Sequence, residues 1–294
     1  MKASLPAPLG NLRKQARSWA RPVASTLHKL LTYSRHLPEP LRNGLDQCGA
    51  LAPLPNLVVE STTEDLLETM KDARVDRALV IAHPPWISND FVQDLCVSES
   101  SFYAAVNIPK GTPKPGAALR TYVKQGAKAL KIHPAFDGEG VDSPRYRGLL
   151  RTASDLGLPV IIHTGCIHSR LLYKNPTVGG AEQFTKWYET YSKTNFVLSH
   201  MNFHDPQTAL DLCEQFPNLW VDTSWQPAET IAEAVRRIGA ERVLFGSDWP
   251  LLGNNIRVGR ERIQDCIDTG LLNPEQAELI LGVNATKLLG IAPI

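Results

Sequence analysis

An alternation constrains this chain more than any other feature. From residue 57 onward, short runs rich in β-branched or aromatic residues are separated by longer amphipathic stretches at a fairly even pitch. Seven runs stand out: Arg77 to Ala82, Ser101 to Ile108, Ala127 to Ile132, Pro159 to His163, Asn195 to His200, Asn218 to Thr223 and Arg242 to Gly246. Such runs read as parallel strands, which need crossover segments long enough to hold a helix. Their centres are spaced by roughly 23 to 36 residues, the size of one strand-plus-helix unit. Thr63 with Glu64 and Asp65, Pro144, Asp205 with Pro206, and Asn273 with Pro274 supply helix-starting signals between the runs. The pattern fits a closed TIM-type (β/α) barrel and an open doubly wound sheet equally well. No GxGxxG, GxxxxGKS or GxxxxGKT follows the first run, so the chemistry has to discriminate.

Length and charge narrow the partners. A chain of 294 residues suits one α/β barrel plus an extension, and 43% hydrophobic residues provide for a large core. A formal net charge of +1 gives no field to recruit nucleic acid. Five cysteines without CxxC spacing point to a reducing cytoplasm, and no apolar run approaches the roughly 18 residues of a membrane span. The expected partner is a small-molecule substrate, and a homo-oligomer is compatible with this composition.

Residues 1–56 read as a basic, helical N-terminal extension, and residues 57–294 as the barrel. Lys2, Arg13, Lys14, Arg17, Arg21, Lys29 and Arg35 stand in the first 38 residues without any acidic residue, which also suits an organellar transit peptide. A rough helical stripe through Leu12, Ala16, Trp19, Ala20 and Val23, then Leu27, Leu30 and Leu31, favours packed helices. Leu41, Leu45, Cys48 and Leu51 recur at helical steps, and no Val, Ile, Phe, Tyr or Trp falls between residues 38 and 56. That segment is therefore predicted to be helical.

Ligands of parallel α/β proteins bind beyond the carboxyl ends of strands. There the runs deliver His83, then Lys131 and His133, then His163, then His200, then Ser247 and Asp248. A single histidine at a strand end is often scaffolding. Together, imidazoles and one carboxylate converging on a barrel mouth are what zinc or a similar divalent ion needs, with one position left for water. His163, His200 and Asp248 are the candidate metal ligands; Asp248 also suits a proton acceptor, and His200 a group that polarises a carbonyl or orients water. Lys131 fits either contact with a substrate anion or a stem reaching to solvent. His83 and His133 join it as substrate-binding residues. His168 and His204 read as surface or supporting residues, Cys166 near His163 lacks an oxyanion-hole signal, and Trp86, Trp225 and Trp249 are pocket or packing residues.

These strings resemble the amidohydrolase-related (amidohydrolase 2 type) proteins of the metal-dependent amidohydrolase superfamily, the group with the aminocarboxymuconate semialdehyde decarboxylase relatives. ALKIHPAF, YRGLLRTASDLGLPVIIHTG, FVLSHMN, NLWVDTS, ERVLFGSDWPLLG and the closing NPEQAELILGVNATKLLGI carry the likeness over about residues 57 to 291. The resemblance implies an eight-stranded barrel with a mononuclear divalent metal, commonly zinc. It places His163 at a metal-ligand position, His200 at that of the catalytic histidine, and Asp248 at that of a metal ligand and general base. The family's first strand supplies an HxH pair, and no HxH occurs in this chain. LDQCGAL at 45 to 51 can be laid over that pattern, with Cys48 and Ala50 at the ligand positions, but alanine cannot bind a metal. The expectation is a barrel lacking its usual first strand, as a shortened gene or misassigned start would produce. The implied activity is metal-dependent hydrolysis of a C–N or ester bond, or decarboxylation of a small carboxylate. The alternative is a catalytically impaired barrel that binds a small molecule or a protein partner.

Overall fold

The computed structural model describes residues 34–51, 62–165, 173–250 and 255–293. The N-terminal stretch before Ser34, and with it most of the basic extension, lies outside the described residues, as do Cys166 and His168. A short turn at Ser34–His36 precedes helix α1 (Glu39–Leu51), which matches the helical reading of that segment.

Next come α2 (Thr63–Asp72), β1 (Ala78–Ile81), α3 (Asn89–Ser98), β2 (Phe102–Val106), α4 (Pro115–Lys124) and β3 (Ala129–Ile132). The chain continues through α5 (Pro134–Asp137), α6 (Pro144–Asp155), β4 (Val160–His163), α7 (Thr185–Thr190), β5 (Phe196–Ser199) and α8 (Pro206–Gln215). It ends with β6 (Leu219–Asp222), α9 (Ala228–Ile238), β7 (Val243–Leu244), α10 (Asn255–Asp268), α11 (Pro274–Glu278), a π-helical turn (Leu279–Val283) and α12 (Asn284–Leu289). Every expected strand run contains a strand. The cap of α2 is Thr62 rather than Thr63: its hydroxyl accepts the Asp65 amide while the Asp65 carboxylate accepts the Thr62 amide.

All seven strands are parallel and pair in chain order, the meander of a (β/α) barrel curled around one axis. Side chains alternate across the sheet. One face meets the helices through Leu130, Ile132, Val160, Ile162, Phe196, Leu198, Leu219, Val221 and Val243. The other face builds an inner apolar layer from Ala105, Ala129, Ile161, Val197, Trp220 and Leu244, and Ala285, Leu288 and Leu289 of α12 pack against it. The C-terminal helix thus covers part of the barrel's interior surface.

Among the described residues no strand bridges β1 and β7. The outer edge of β7 is nevertheless capped. The Phe245 amide donates to the Ile280 carbonyl, and the Asn284 side-chain amide donates to the Val243 and Ala240 carbonyls. A segment from the end of the chain fills backbone hydrogen bonds that a neighbouring strand would otherwise make.

Candidate functional site

Two residues further along each strand from the inner apolar layer, the period-two alternation turns the next side chain into the same space. From β3 to β7 this second layer reads Lys131, His163, Ser199, Asp222 and Gly246, above Ala129, Ile161, Val197, Trp220 and Leu244. The apolar floor and polar mouth are therefore consecutive levels of one packed barrel. Gly246 has a steric reason to be glycine, since a Cβ there would lie 2.7 Å from Asp222 Oδ1.

Lys131 is buried, and its Nζ donates to Ser199 Oγ at 2.9 Å. The stem therefore does not carry the ammonium out to solvent, which removes one of the two sequence readings. Burial pulls its pKa down to about 8, against the opposing charges of Asp222 and Asp248.

Four histidines gather at the strand ends. The His133 and His163 rings stack with centroids 3.8 Å apart, and His83 lies 5.6 Å from His133. Burial holds both His133 and His163 well below the ordinary imidazole range, and neighbouring cationic groups, Lys131 among them, push the same way. Stacked neutral rings are compatible at this distance, whereas two imidazolium ions would repel. His133 Nδ1 accepts the Phe136 amide at 3.2 Å, which leaves Nε2 to carry the proton of the neutral ring. His83 is likewise shifted downward, by burial first and by Lys131 second. Its Nδ1 is buried and, among the described residues, has no hydrogen-bond partner. Trp86, 70% exposed, meets His83 and Phe136 edge-on, and forms the outer wall here.

His200 sits in an unusual turn. His200, Met201, Asn202 and Phe203 all have positive φ, with no glycine among them. Left-handed backbone at such residues costs on the order of 1–3 kcal/mol each and persists only where the surroundings enforce it. The enforcement is visible: Gln226 Nε2 donates to the His200 and Phe203 carbonyls, and the Asn202 side chain bonds the Ala181 amide and Asp205 carbonyl. The ring nitrogens of His200 are both engaged, Nδ1 with Ser224 Oγ at 2.6 Å and Nε2 with His163 Nδ1 at 3.3 Å. Asp222 and Ser224, absent from the sequence-based site, thereby enter it. Asp248, also at positive φ, accepts a hydrogen bond from the Trp225 indole at 2.7 Å on Oδ2. Trp249 packs instead against the cluster beneath α2.

The sequence-predicted residues divide accordingly. His83, His133, His163 and His200 form one contiguous group of rings. Asp248 faces Trp225, and Lys131 faces Ser199. Among the described residues, no three His, Cys, Asp or Glu side chains are placed to hold a metal ion. In this arrangement His200 Nδ1 lies on Ser224 and Nε2 on His163 Nδ1. His204 lies apart, on Phe203.

One further cluster supports the mouth. Arg145 binds Asp137 at 2.5 Å, Glu139 at 2.9 Å and the Ile108 carbonyl at 2.5 Å, while the Tyr146 hydroxyl donates to Asp137 at 2.6 Å. It fastens the end of α5, the short helix that begins immediately after His133, to the loop leaving β2.

Comparison with known proteins fits this architecture. The family model described as Amidohydrolase matches residues 62–291. A search of curated proteins finds no match. Among solved structures, an uncharacterized TIM-barrel protein from Bordetella bronchiseptica superposes with a TM-score of 0.67 at 22% identity, over 85% of this chain and 90% of that one. The 5-carboxyvanillate decarboxylase LigW from Sphingomonas paucimobilis gives 0.62 at 14% identity, over 79% and 84%. The 4-oxalomesaconate hydratase LigJ from Rhodopseudomonas palustris gives 0.59 at 16%, over 81% and 82%. At such identities these structures speak for the shared barrel. The family match, which spans most of the chain, goes further: this protein belongs to the Amidohydrolase family.

Proposed function

We propose that the protein binds a small carboxylate-bearing molecule at the barrel mouth and turns it over by acid–base chemistry, as a hydrolase of a C–N or ester bond or as a decarboxylase. The observation that carries this reading is the convergence of buried Lys131 with neutral His133 and His163, next to His83 Nδ1, which has no hydrogen-bond partner among the described residues. A buried polar atom without a partner costs about 1–3 kcal/mol, which a bound polar ligand recovers. The site is polar at the strand ends and apolar just beneath, so it fixes one end of a small molecule and excludes water below it.

The proposed division of labour follows the contacts. Lys131, His83 and His133 hold the carboxylate. Asp248, its Oδ2 steadied by the Trp225 indole, accepts a proton from water in hydrolysis or returns one to carbon in decarboxylation. His163 and His200 exchange protons with the reacting group. Zinc, or another divalent ion, supplies Lewis acidity in relatives of this kind. In this chain the described donors do not fit it, and no step is assigned to it. The same observation favours a second reading, a barrel that binds its ligand without turnover.

Thermal-shift titration with acetate, malonate and benzoate tests the binding half. The carboxylates should raise the Tm of the wild type, and the shift should disappear in Lys131→Met, while benzamide has no effect in either. Equal shifts in both proteins would remove Lys131 from the anion site. Turnover of any substrate found this way should fall by at least about 100-fold in Asp248→Asn. Binding without detectable turnover in the wild type would select the second reading.

A further inference from the structure

We infer that Asn107 is a substrate-contacting residue that selects carboxylates bearing an oxygen, as hydroxyl or carbonyl, on the carbon next to the carboxyl group. This deepens the proposed function and rests on its anion site. The polar level of the barrel that holds Lys131 continues into β2. Ala105 lies in the inner apolar layer and pairs with Ala129, so the next inward position on β2 is Asn107, beside Lys131. The run leading to it, FYAAV, is apolar. Asn107 is only 5% exposed, and among the described residues its carboxamide has no hydrogen-bond partner.

Its backbone, in contrast, is tied on two sides. The Asn107 N–H donates to Asn89 Oδ1 and its carbonyl accepts from Asn89 Nδ2, both at 2.9 Å. The next carbonyl, that of Ile108, accepts from Arg145. One step earlier the Ala82 amide bonds the Ala105 carbonyl, and β1 then turns away through the His83–Ile87 bridge. The buried Asn89 amide thus replaces β1 as the partner of β2, and the extended alternation carries through to Asn107.

A buried carboxamide without a partner is costly, and a leucine of the same shape would fill the space without that cost. Held rigid and left unsatisfied, the group is complementary to a ligand. A carboxamide offers N–H donors and a carbonyl acceptor but no charge, so it recognises a neutral polar atom rather than the carboxylate itself. Its place in the sheet says which one. The strand β2 lies between β1, which leads to His83, and β3, which carries Lys131 and leads to His133. The three groups assigned to the carboxylate therefore flank Asn107. The neutral polar atom nearest to a carboxylate so held is an oxygen on the adjoining carbon, which can accept from the amide N–H and, as a hydroxyl, donate to the amide oxygen.

Thermal-shift titration with matched acids tests this: mandelate against phenylacetate, and lactate and pyruvate against propionate. Within each set the acids differ at that carbon by the oxygen. The wild type should bind the oxygenated member at least about 5-fold more tightly. In Asn107→Leu and in Asn107→Ala the ratio should fall close to one, with phenylacetate and propionate bound as in the wild type. Equal affinities within each set in the wild type, with all the acids binding, overturn the inference and leave the anion site standing. Absence of binding by every acid overturns the anion site and this inference with it. A preference that survives in either folded variant removes Asn107 from the contact, and failure of both variants to fold would mark the amide as structural and overturn its role equally.

Discussion

The middle of the sheet and its flanks are built to different standards. The strands β3 to β6 are buried almost throughout, and they or the residues just beyond their ends carry Lys131, His163, Ser199, His200 and Asp222. The first strand is only half-buried at all four positions, and β7 is just two residues long. These flanks contribute His83 and Asp248. The Lys131–Ser199, His163–His200, His200–Ser224 and Ser224–Asp222 contacts all belong to this middle. Each βα unit of the middle thus brings its own polar residue to the shared mouth.

The largest expected contrast is in core truncation. Leu198→Ala in β5 should cost about 2–5 kcal/mol in urea unfolding, and Ile81→Ala in β1 clearly less, because its surroundings are half open. Equal losses would erase the distinction between middle and flank.

Lys131 gives a pH-dependent version. Its pKa is lowered to about 8 in the folded protein, so the unfolded chain holds the proton more tightly. The burial penalty is present in full below about pH 8, and stability rises between there and the lysine's unfolded value near 10.5. Relative to Lys131→Met, the wild type should gain on the order of 3 kcal/mol or less across that window. A flat difference would mean that the ammonium reaches water. Gly246→Ala, which drives a methyl group into Asp222, should cost about 1–3 kcal/mol by calorimetry. Retained stability there would show that β7 gives way, as a loose flank does. Smallest of all, Trp86→Ala should stay within about 0.5 kcal/mol of wild-type stability because the ring is exposed, yet weaken benzoate binding. A large stability loss would make Trp86 part of the core rather than the outer wall.

Much of this architecture is written in the amino-acid pattern. Parallel strands buried on both faces must be apolar runs, so PVIIH and NFVLSH announce themselves, and the same burial makes a polar residue at their ends conspicuous. Asp222 and Ser224 obey the same rule at the end of NLWVDT and were legible by it; a search weighted toward histidines passes over them. The turn at His200–Phe203 was not legible, since no glycine marks it and its backbone is imposed by Gln226 and Asn202 from distant positions. Whether three ligands converge is likewise a matter of distances. Residue types alone suggest His163, His200 and Asp248 as a set; that His200 rests on Ser224 and His163 is added by the structure. The Lys131 to Ser199 contact joins strands that are not neighbours in the sheet and has no sequence signature.

The capped edge of β7 has a bearing on solubility. A sheet left open exposes a row of backbone donors and acceptors on which a second molecule can add a strand, the first step of edge-to-edge aggregation. With Ile280 and Asn284 occupying the Phe245 amide and the Val243 carbonyl, that row is already taken at one border. The C-terminal segment therefore serves as an intramolecular guard, and a chain that ended before Leu279 would expose a self-templating edge at the very strand that carries Asp248.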